Sequence, residues 1–340
     1  MILVTGGTGY IGSHTVVELQ EEGYDVLVAD NLSNSKIEVL DGIGKITGKI
    51  PYFEKTDLAS AAETKALFDK YPGITAVIHF AALKAVGESV QIPLRYYQNN
   101  ISSLINLLNN MIRKNIPDII FSSSCTVYGE PDIVPVTEKS PVKKATSPYG
   151  NTKQISEEIL QDTQSVNPFM KVISLRYFNP IGAHPSAFIG ELPIGIPNNL
   201  VPFITQTAIG LRDELNVFGS DYNTPDGTAI RDYINVVDLS KAHVVALKRL
   251  AGEMNKLPYE TFNLGTGRGY SVLEVIKAFE YATGIKPRYK IVDRREGDVE
   301  KVYADTSFAN RELGWKAEKG IEESLLTAWN WEKHLKSLGV

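Results

Sequence analysis

The sequence predicts an α/β fold built on a doubly wound parallel sheet, with a smaller mixed α/β lobe towards the C terminus. Over the first 180 residues, short apolar runs alternate with longer segments of helical periodicity, the pattern of strands joined by crossover helices. A glycine-rich turn directly follows the first apolar run. After about residue 180 the alternation stops, and glycine, proline and asparagine crowd residues 179–199 and 219–227, which predicts long functional loops. The expected fold class is therefore a Rossmann-type sheet with an added lobe.

Five short runs rich in Val, Ile and Phe are expected to form the core strands. They show little alternation of apolar and polar residues, as expected when helices cover both faces of a sheet. The predicted strands are residues 2–5, 25–30, 76–79, 119–122 and 172–177. The predicted helices are residues 12–22, 61–70, 94–110, 271–283 and 321–338.

Composition excludes several classes of function. Of the 340 residues, 43% are hydrophobic and 22% are charged, as in an ordinary folded protein. The net charge of −5 provides no basic field for nucleic acid. Cys125 is the single cysteine, which excludes an internal disulfide and a multi-thiolate metal site, and no apolar run approaches the roughly 20 residues of a membrane span. We expect a cytoplasmic protein with no metal, nucleic acid or membrane partner.

The glycine-rich turn reads GGTGYIG at residues 6–12 and precedes a predicted helix. Glycines at positions 6, 9 and 12 allow a tight turn, a close approach to a pyrophosphate and close helix–strand packing. Asp30 ends the second predicted strand, where a carboxylate accepts hydrogen bonds from an adenosine ribose. Because Asn31 and Leu32 follow it rather than an arginine, the pattern favours NAD over NADP.

Asp57, after the apolar residues 51–53, has two interpretations. Its carboxylate can accept a hydrogen bond from the adenine amino group, or it can cap a helix that begins near Leu58. The sequence leaves both open.

A second motif, YGNTK at residues 149–153, places the Tyr149 phenol and the Lys153 ammonium one helical turn apart on one face. It comes after the fourth predicted strand, whose end carries Ser122, Ser123 and Ser124. A nearby cation and a positive nicotinamide ring both favour the phenolate, so Tyr149 is predicted to act as a base near pH 7. The alternative is an ordinary exposed helix pair.

Seven stretches together have the form of a known family. They are TGGTGYIGSH at 5–14, VIHFAALKAVGES at 77–89, FSSS at 121–124, SPYG at 147–150, RYFNP at 176–180, GIPNNL at 195–200 and RREGD at 294–298. The first and fourth are typical of extended short-chain dehydrogenases/reductases, and the whole set resembles the UDP-glucose 4-epimerase family almost from end to end. The resemblance implies an isomerase that interconverts UDP-glucose and UDP-galactose, with NAD tightly bound and regenerated in each cycle.

This resemblance implies that residues 1–180 form an NAD-binding domain, to which segments of about 230–265 return. Residues 181–340 are expected mainly to form a UDP-sugar-binding lobe. With the glycine turn, the implied cofactor-binding residues are Gly6, Gly9, Tyr10, Ile11, Gly12, Asp30, Asn31, Asn34, Ser35, Asp57, Leu58, Phe80, Ala81, Lys84, Asn99, Ser122, Tyr149, Lys153, Tyr177 and Phe178.

The resemblance also implies a UDP-sugar site that combines arginine forks for a diphosphate with asparagines and aromatic rings for the base. Its expected members are Ser124, Tyr149, Asn179, Asn198, Asn199, Leu200, Asn216, Phe218, Arg231, Tyr233, Arg295, Asp298 and Val302. Without the family, Arg231-Asp232 is equally consistent with a surface ion pair and residues 294–296 with a solvated charged turn. His79, between Ile78 and Phe80, is expected to be a hydrogen-bonded core histidine.

The implied catalytic residues are Ser124, Tyr149 and Lys153. Tyr149, as phenolate, removes the proton of the sugar 4-hydroxyl while hydride passes from C4 to the nicotinamide. Lys153 is expected to lower the tyrosine pKa and hold the nicotinamide ribose, and Ser124 to donate a hydrogen bond to the reacting oxygen. The 4-keto sugar then presents its other face, and hydride returns to it.

Two other functions stay open. A nucleotide-sugar 4,6-dehydratase or decarboxylase shares the first oxidation, but a dehydratase typically has Asp-Glu where Cys125-Thr126 follow Ser124 here. A non-catalytic NAD-binding regulator would have no use for Tyr149 together with Lys153.

The resemblance carries two finer expectations, on substrate breadth and on assembly. The residue four places after Asp298 borders the sugar pocket in the family, and a small residue there is associated with N-acetylhexosamines. Here it is Val302, followed by Tyr303, so UDP-GlcNAc and UDP-GalNAc are expected substrates as well. Helices at about 100–115 and 151–165 match those that form a two-fold four-helix bundle in the family, which implies a homodimer.

Overall fold

The computed structural model describes residues 1–295 and 298–339. Thirteen strands in the described residues form one large and two small sheets. In chain order they are β1 (Ile2–Thr5), β2 (Val26–Asp30), β3 (Tyr52–Lys55), β4 (Ala76–His79), β5 (Asp118–Ser122), β6 (Lys171–Tyr177), β7 (Asn179–Ile181), β8 (Leu215–Phe218), β9 (Ile230–Asn235), β10 (Tyr259–Leu264), β11 (Gly269–Ser271), β12 (Tyr289–Val292) and β13 (Lys301–Val302).

The large sheet has seven parallel strands in the order β3-β2-β1-β4-β5-β6-β10. Ten helices accompany the strands in the described part of the chain. They are α1 (Tyr10–Glu21), α2 (Val39–Thr47), α3 (Ala61–Lys70), α4 (Val86–Gln91), α5 (Pro93–Arg113), α6 (Pro148–Val166), α7 (Leu200–Ala208), α8 (Val236–Ala251), α9 (Val272–Thr283) and α10 (Ile321–Ser337).

Two apolar cores lie on opposite faces of the large sheet. Alternate residues of β1 divide between them, with Ile2 and Val4 packed towards α1, α2 and α8, and Leu3 towards α3, α5 and α6. The strand is therefore buried on both faces, which explains its unbroken apolar sequence. The predicted doubly wound parallel sheet is confirmed, and each of the five predicted strands matches an observed one to within a residue at either end.

The second lobe has its own small sheets and core. Strand β9 pairs with β7, β11 and β13, while β8 pairs with β12. A third apolar core joins these strands to α7, α9 and α10. The predicted mixed α/β lobe is therefore confirmed. No helix among residues 1–295 and 298–339 is long and apolar enough to cross a membrane.

Segments late in the chain complete the large sheet. Strand β10 pairs with β6 along six residues, from Tyr259 opposite Val172 to Leu264 opposite Tyr177. Helix α8 supplies Leu239, Ala242 and other buried residues to the core against α1. The carboxyl ends of β1, β4, β5 and β6 consequently lie along one edge, which is where ligands bind in open α/β sheets.

Candidate active site

The glycine turn is shaped by contacts that no side chain tolerates. Gly6 has φ +71°, and a Cβ there would lie 2.8 Å from the Ala81 nitrogen. A Cβ on Gly12 would lie 2.2 Å from the Gly6 oxygen, whereas one on Gly9 would meet only that oxygen, at 3.1 Å. Helix α1 then starts at Tyr10 without a side-chain hydrogen bond from its N-cap, Gly9. Its first amides are available to an anion at the edge of the sheet.

The side chains of Tyr10 and Ile11 point away from this opening. The Tyr10 hydroxyl donates to the Gly182 carbonyl at 2.6 Å, in the loop after β7, and Ile11 packs against the core around α1. Any contact that these two residues make with a diphosphate therefore comes from their backbone.

Asp30 organises the loop after β2. Its carboxylate accepts hydrogen bonds from the Leu32 nitrogen at 2.9 Å, the Ser35 hydroxyl at 3.1 Å and the Thr8 nitrogen at 3.4 Å. Leu32 adopts φ +61° to close this loop, and Asn34 is exposed on it. The loop and the glycine turn thus form one unit, with Asp30 at the end of the strand where a ribose-binding carboxylate is expected.

Asp57 does not cap a helix. Helix α3 begins at Ala61 and its N-cap is Ser60, whose hydroxyl accepts from the Glu63 nitrogen at 3.3 Å. The Asp57 carboxylate instead accepts from the Ala59 nitrogen at 3.0 Å, and Leu58 is buried in the core. The helix-cap interpretation is wrong, and the adenine contact stays a prediction.

Asn100 fixes the loop after β4, and sequence reasoning missed it. Its amide group donates to the Leu83 carbonyl at 3.0 Å and to the Thr152 hydroxyl at 3.1 Å, and its oxygen accepts from the Leu83 nitrogen at 2.8 Å. The predicted cofactor residue Asn99 also donates to this oxygen. Lys84, next to Leu83, is thereby held beside helices α5 and α6. The signal in the sequence was the polar side chain of Asn100 on the buried face of α5, because such a residue needs hydrogen-bond partners.

His79 is a core histidine, as predicted. Its Nδ1 lies 2.7 Å from the Thr5 hydroxyl, on the neighbouring strand β1. Burial lowers the pKa of His79 to about 3, so the ring is neutral and holds β4 beside β1.

Ser122, the last residue of β5, and the two serines that follow it each form a hydrogen bond with a different partner. Ser122 shares a hydrogen bond with the Tyr177 hydroxyl, and Ser123 donates to the buried carboxylate of Glu157. Ser124 accepts from the Thr126 nitrogen at 3.2 Å and begins a 3₁₀ turn. Ser123 was not among the predicted site residues, because its role depends on a partner in α6.

Tyr149 and Lys153 are buried beside these serines. Helix α6 starts at Pro148, and its N-cap Ser147 accepts from the Gly150 nitrogen at 3.1 Å, which places Tyr149 in the first turn. Only 9% of Tyr149 and 4% of Lys153 are exposed, so the alternative of an exposed helix pair is wrong. The Lys153 Nζ donates to the Ser122 carbonyl at 2.6 Å. Burial lowers the pKa of Lys153 to about 8, although the Glu157 charge opposes this shift.

Burial dominates the pKa of Tyr149, and the predicted effect of Lys153 on it stays a prediction. Burial raises the pKa of Tyr149 well above its usual value, and the Tyr177 charge raises it further, while a hydrogen bond from Ser124 lowers it. The Lys153 Nζ lies 5.9 Å from the Tyr149 ring centroid and is directed at the Ser122 carbonyl. The cost of burying a phenolate therefore exceeds the help from the ammonium in the protein by itself.

Several predicted substrate residues of the second lobe lie close to one another. The Asp298 carboxylate lies 3.6 Å from Arg231 Nη2 and accepts from Arg295 Nη2 at 2.8 Å. The Arg295 guanidinium lies 5.8 Å from the centroid of the Phe218 ring. Tyr233, on the same face of β9 as Arg231, is close enough for these charges to act on the pKa of its hydroxyl. Glu296 and Gly297 of the RREGD motif lie outside the described residues.

The surface-pair alternative for Arg231 does not hold. Asp232 is fully buried and directed away from Arg231, whose own side chain is 15% exposed, so they form no surface pair. Arg294 pairs with Asp221 at 2.7 Å, but Arg295 turns to Asp298 inside the cluster. In the described part of the 294–298 turn both arginines are nearly half exposed, so the interpretation as a solvated charged turn stays open and the site role of Arg295 stays a prediction.

Asparagines frame the same lobe. Asn216 and Phe218 share the open face of β8, because Leu215 and Val217 fill its buried face. Asn179 starts β7, Asn198 is exposed in the loop before α7, and Leu200 begins that helix.

Glu191 joins the two predicted ligand sites. Its Oε1 accepts from Asn199 at 2.5 Å and lies 3.6 Å from the Lys84 Nζ. A predicted substrate residue and a predicted cofactor residue therefore share one carboxylate, which sequence reasoning missed.

Val302 and Tyr303 face opposite sides of β13. Val302 is 6% exposed and packs with Phe178, Ala304 and Cys125, the residue after Ser124. A Cβ on Gly269 would lie 3.1 Å from the Tyr303 ring, so the tyrosine faces β11 instead. The apolar cluster that Cys125 joins, directly after Ser124 in the chain, thus has Val302 and Ala304 as small members.

Comparisons with known proteins agree with this geometry. A family model described as GDP-mannose 4,6 dehydratase matches residues 3–327. The UDP-glucose 4-epimerase of Haemophilus influenzae is 51% identical over 98% of this chain and 97% of its own length. That of Dictyostelium discoideum is 52% identical over 97% of this chain and 95% of its own length.

Solved structures give the same result. The UDP-glucose 4-epimerase of Bifidobacterium longum, in complex with NAD⁺ and UDP, has a TM-score of 0.94 and 47% identity, with 98% of both chains covered. The corresponding enzyme of Stenotrophomonas maltophila, with bound NAD and formylated UDP-arabinopyranose, has a TM-score of 0.95 and 47% identity over 99% of both chains. Full-length identity of about one half to epimerases favours this function over the dehydratase, decarboxylase and regulator alternatives. The chain belongs to the UDP-glucose 4-epimerase family.

Proposed function

We propose that the chain is an isomerase that interconverts UDP-glucose and UDP-galactose at C4, with tightly bound NAD. The observation that carries this proposal is the meeting of Ser124, Tyr149 and Lys153 at the carboxyl end of β5. The second lobe adjoins this point, because Cys125, the residue after Ser124, packs in one cluster with Val302, which pairs with Arg231 of β9. These neighbouring residues support a base, its cation and a diphosphate site in one region of the protein.

The chain's own residues suit a dinucleotide. The glycine turn and the uncapped start of α1 offer backbone donors to a pyrophosphate, and Asp30 lies at the strand end suited to a ribose diol. Lys84, held near Glu191, and Lys153, held by Ser122, supply positive charge. Bound NAD supplies a positively charged nicotinamide ring that accepts and returns a hydride.

Proton transfer belongs to Tyr149. A sugar 4-oxygen placed between Ser124 and Tyr149 receives a hydrogen bond from the Ser124 hydroxyl and gives its proton to the phenolate oxygen of Tyr149. Because burial raises the pKa of Tyr149, its phenolate, which is the base, forms only beside positive charge. Lys153 is the chain's contribution to that charge, and burial of the pair excludes water from the proton path.

Epimerisation further requires the 4-keto sugar to present both faces. Arg231 and Arg295 can hold the diphosphate from one side, while Asp298 fixes their positions. The wall by the sugar consists of Phe178, Val302 and neighbours, which offer contact but few directed hydrogen bonds. Firm contacts to the nucleotide and weak ones to the hexose allow the sugar to turn while the nucleotide stays in place.

The direct test is turnover of UDP-galactose without added NAD, with Tyr149→Phe as the variant. The phenol oxygen is lost, so kcat should fall by about 10²–10⁴ while UDP affinity is kept. Tyr281→Phe is the matched control, because Tyr281 is 85% exposed. Parent-like turnover by Tyr149→Phe would falsify the catalytic assignment.

We also propose that UDP-GlcNAc and UDP-GalNAc are interconverted. The support is the small side chain of Val302 beside Cys125 and Phe178, with Tyr303 on the opposite face. Val302→Tyr should abolish conversion of the N-acetylated sugars and spare UDP-galactose, because only the 2-acetamido group needs the space. Tyr303→Phe serves as the control. A parent chain that converts UDP-glucose but not UDP-GlcNAc contradicts this proposal.

A homodimer through α5 and α6 is the proposed assembly. The two helices pack against each other on one face of the sheet, and Ile105 on α5 is 41% exposed. A second copy that covers this face would form a four-helix bundle. Ile105→Lys should reduce the mass measured by light scattering from that of two chains to one. A monomeric parent would contradict the proposed dimer.

A cytoplasmic location is proposed as well. The only cysteine, Cys125, is partly buried, and burial raises its pKa to about 12, so the fold uses no disulfide and carries an unreactive thiol. Cell fractionation with a tagged chain tests this: recovery in a secreted or membrane fraction would contradict it.

A further inference from the structure

We propose that Asp232 is a positioning residue that sets the sugar-facing wall of the active site, an inference that rests on the proposed function. Asp232 lies on β9 between Arg231 and Tyr233, and its side chain is fully buried on the opposite face of the strand. It therefore does not touch the substrate site directly. It acts through the segments that its carboxylate holds.

Four hydrogen bonds converge on this carboxylate. Oδ1 accepts from the Thr266 nitrogen at 2.8 Å and from the Thr266 hydroxyl at 2.6 Å. Oδ2 accepts from the Gly267 nitrogen at 3.1 Å and the Ala304 nitrogen at 3.2 Å. Every partner is a donor, so the site requires a group that only accepts.

The space around Asp232 is equally restricted. A Cβ on Gly265 would lie 2.4 Å from the Asp232 Oδ2 and 2.8 Å from the Ala304 Cβ. The chain at residues 265–267 comes directly from β10, the last strand of the large sheet. Asp232 thus ties the large sheet to β9 and to the segment after β13 at a single point.

The segment after β13 is the one that forms the sugar wall. Strand β13 pairs with β9 only at Lys301 and Val302, opposite Ile230 and Arg231. Beyond Val302 the backbone pairing with β9 ends. The next inward-facing residue, Ala304, donates its backbone N–H to the Asp232 carboxylate instead. Val302 and Ala304 pack on Phe178 and on the turn after Ser124. A shift of Ala304 therefore moves the wall relative to the reacting carbon.

Arg231 is held independently of this carboxylate. Its Nη1 donates to the Ile230 carbonyl at 2.8 Å, and its Nη2 lies 3.6 Å from Asp298. Loss of the Asp232 contacts should consequently disturb sugar placement more than nucleotide binding.

Asp232→Asn tests the inference, because the amide replaces one acceptor by a donor that faces other donors. We expect kcat/KM for UDP-galactose to fall about 10–100-fold, the usual effect of misplacing a reacting group by about 1 Å. The preference for UDP-galactose over UDP-GalNAc should also fall, since a loosened wall admits the larger sugar. NAD content per chain and the Kd of UDP should stay within about twofold of the parent.

Asp238→Asn is the matched control. Asp238 is also a buried carboxylate that accepts backbone amides, from Glu318 and Lys319 at 2.9 and 2.8 Å, but it lies on α8, away from β13. It should leave the sugar preference unchanged. Thr266→Ala removes one of the four hydrogen bonds to Asp232, together with the contacts of the hydroxyl to the Arg268 backbone, and serves if Asp232→Asn does not fold; we expect a smaller change of the same kind.

The outcomes separate the two proposals. A parent chain that does not convert UDP-galactose refutes the proposed function itself. With an active parent, the inference is overturned by unchanged kcat/KM in Asp232→Asn, or in Thr266→Ala where that variant replaces it. It is also overturned if NAD content and UDP affinity fall together with activity, or if Asp238→Asn changes the sugar preference equally.

Discussion

Burial acts in opposite directions on the pKa values of Tyr149 and Lys153. Removing a phenolate from water raises the pKa of Tyr149, and removing an ammonium from water lowers that of Lys153 to about 8. Both shifts favour the neutral forms. The base needs the positive charge of Lys153, but burial disfavours that charge. The Ser122 carbonyl and the Glu157 charge stabilise the ammonium and offset part of the cost.

The first prediction concerns pH. If the Lys153 ammonium assists Tyr149, kcat/KM for UDP-galactose should fall as pH rises through about 8, because the ammonium is then lost. Stability should change in the other direction. An unfolded lysine titrates near pH 10.4, so between about pH 8 and 10.4 the unfolded chain binds more protons, and the free energy of unfolding rises with pH.

These opposite signs separate catalysis from unfolding. The pH profile of kcat/KM is measured beside thermal melts in the same buffers. Lys153→Met should lose most activity and the stability increase between about pH 8 and 10, whereas Lys65→Met, at an exposed position, should keep both. A parent activity that stays flat up to about pH 9.5 would show that the ammonium is not needed.

At single residues, sequence reasoning succeeded where chemistry and chain position coincide. Tyr149 and Lys153 stand one helical turn apart in any helix, so their neighbourhood could be predicted. Asn100 and Asp232 could not, because their hydrogen-bond partners come from segments distant in the chain. A buried polar residue is recognised only when the donors and acceptors around it are known.

Among the elements, the turn from β1 to α1 has the least tolerance of change. A Cβ added to Gly12 would lie 2.2 Å from the Gly6 oxygen and 2.9 Å from the Gly7 Cα, so the helix would have to move away from the strand. The amides at the start of α1 would then no longer be directed at the same point. The packing of α1 on β1 and the binding of an anion at the start of α1 therefore both depend on the absence of a Cβ at Gly12.

Gly12→Ala should accordingly lose both stability and bound NAD. We expect a decrease of at least about 1–3 kcal/mol in the free energy of unfolding, the usual cost of overpacking. Gly73→Ala is the control, because its Cβ would meet nothing within 4 Å. Denaturant titration gives the stability, and the absorbance of the purified protein gives its NAD content. Retention of both in Gly12→Ala would contradict the role assigned to this contact.

Element boundaries followed the sequence where the apolar pattern was clear, and α3 was predicted over its observed range, residues 61–70, although it is buried on one face only. The core strands are short uninterrupted apolar runs, and these were predicted closely. Helix α8 and strand β10 were not predicted as elements. Helix α8 is buried nearly all round, which removes its periodicity, and β10 carries buried Glu260 and Asn263, which are uncommon in a core strand. Their partners, Arg249 and Tyr128, compensate for these polar groups.

For the whole molecule, the predicted extent of the NAD-binding domain, residues 1–180 with segments of about 230–265 returning to it, is the point most open to experiment. The core against α1 includes Leu239, Ala242, Phe262 and Leu264, all beyond residue 180. Strand β6 has β10 on its outer edge. Residues beyond 180 thus complete the apolar core against α1 and the outer edge of the large sheet.

A fragment of residues 1–180 should therefore fail to fold cooperatively. It would expose the outer edge of β6 and the apolar surface that α8 covers on α1, and an unpaired central strand is prone to aggregation. The full chain should melt in one transition that bound UDP and NAD both shift upwards, because both ligands stabilise the same folding unit. Calorimetry and hydrogen exchange measure this. A fragment with a sharp melt and bound NAD would show that the first 180 residues are an independent domain, and that β10 and α8 only extend it.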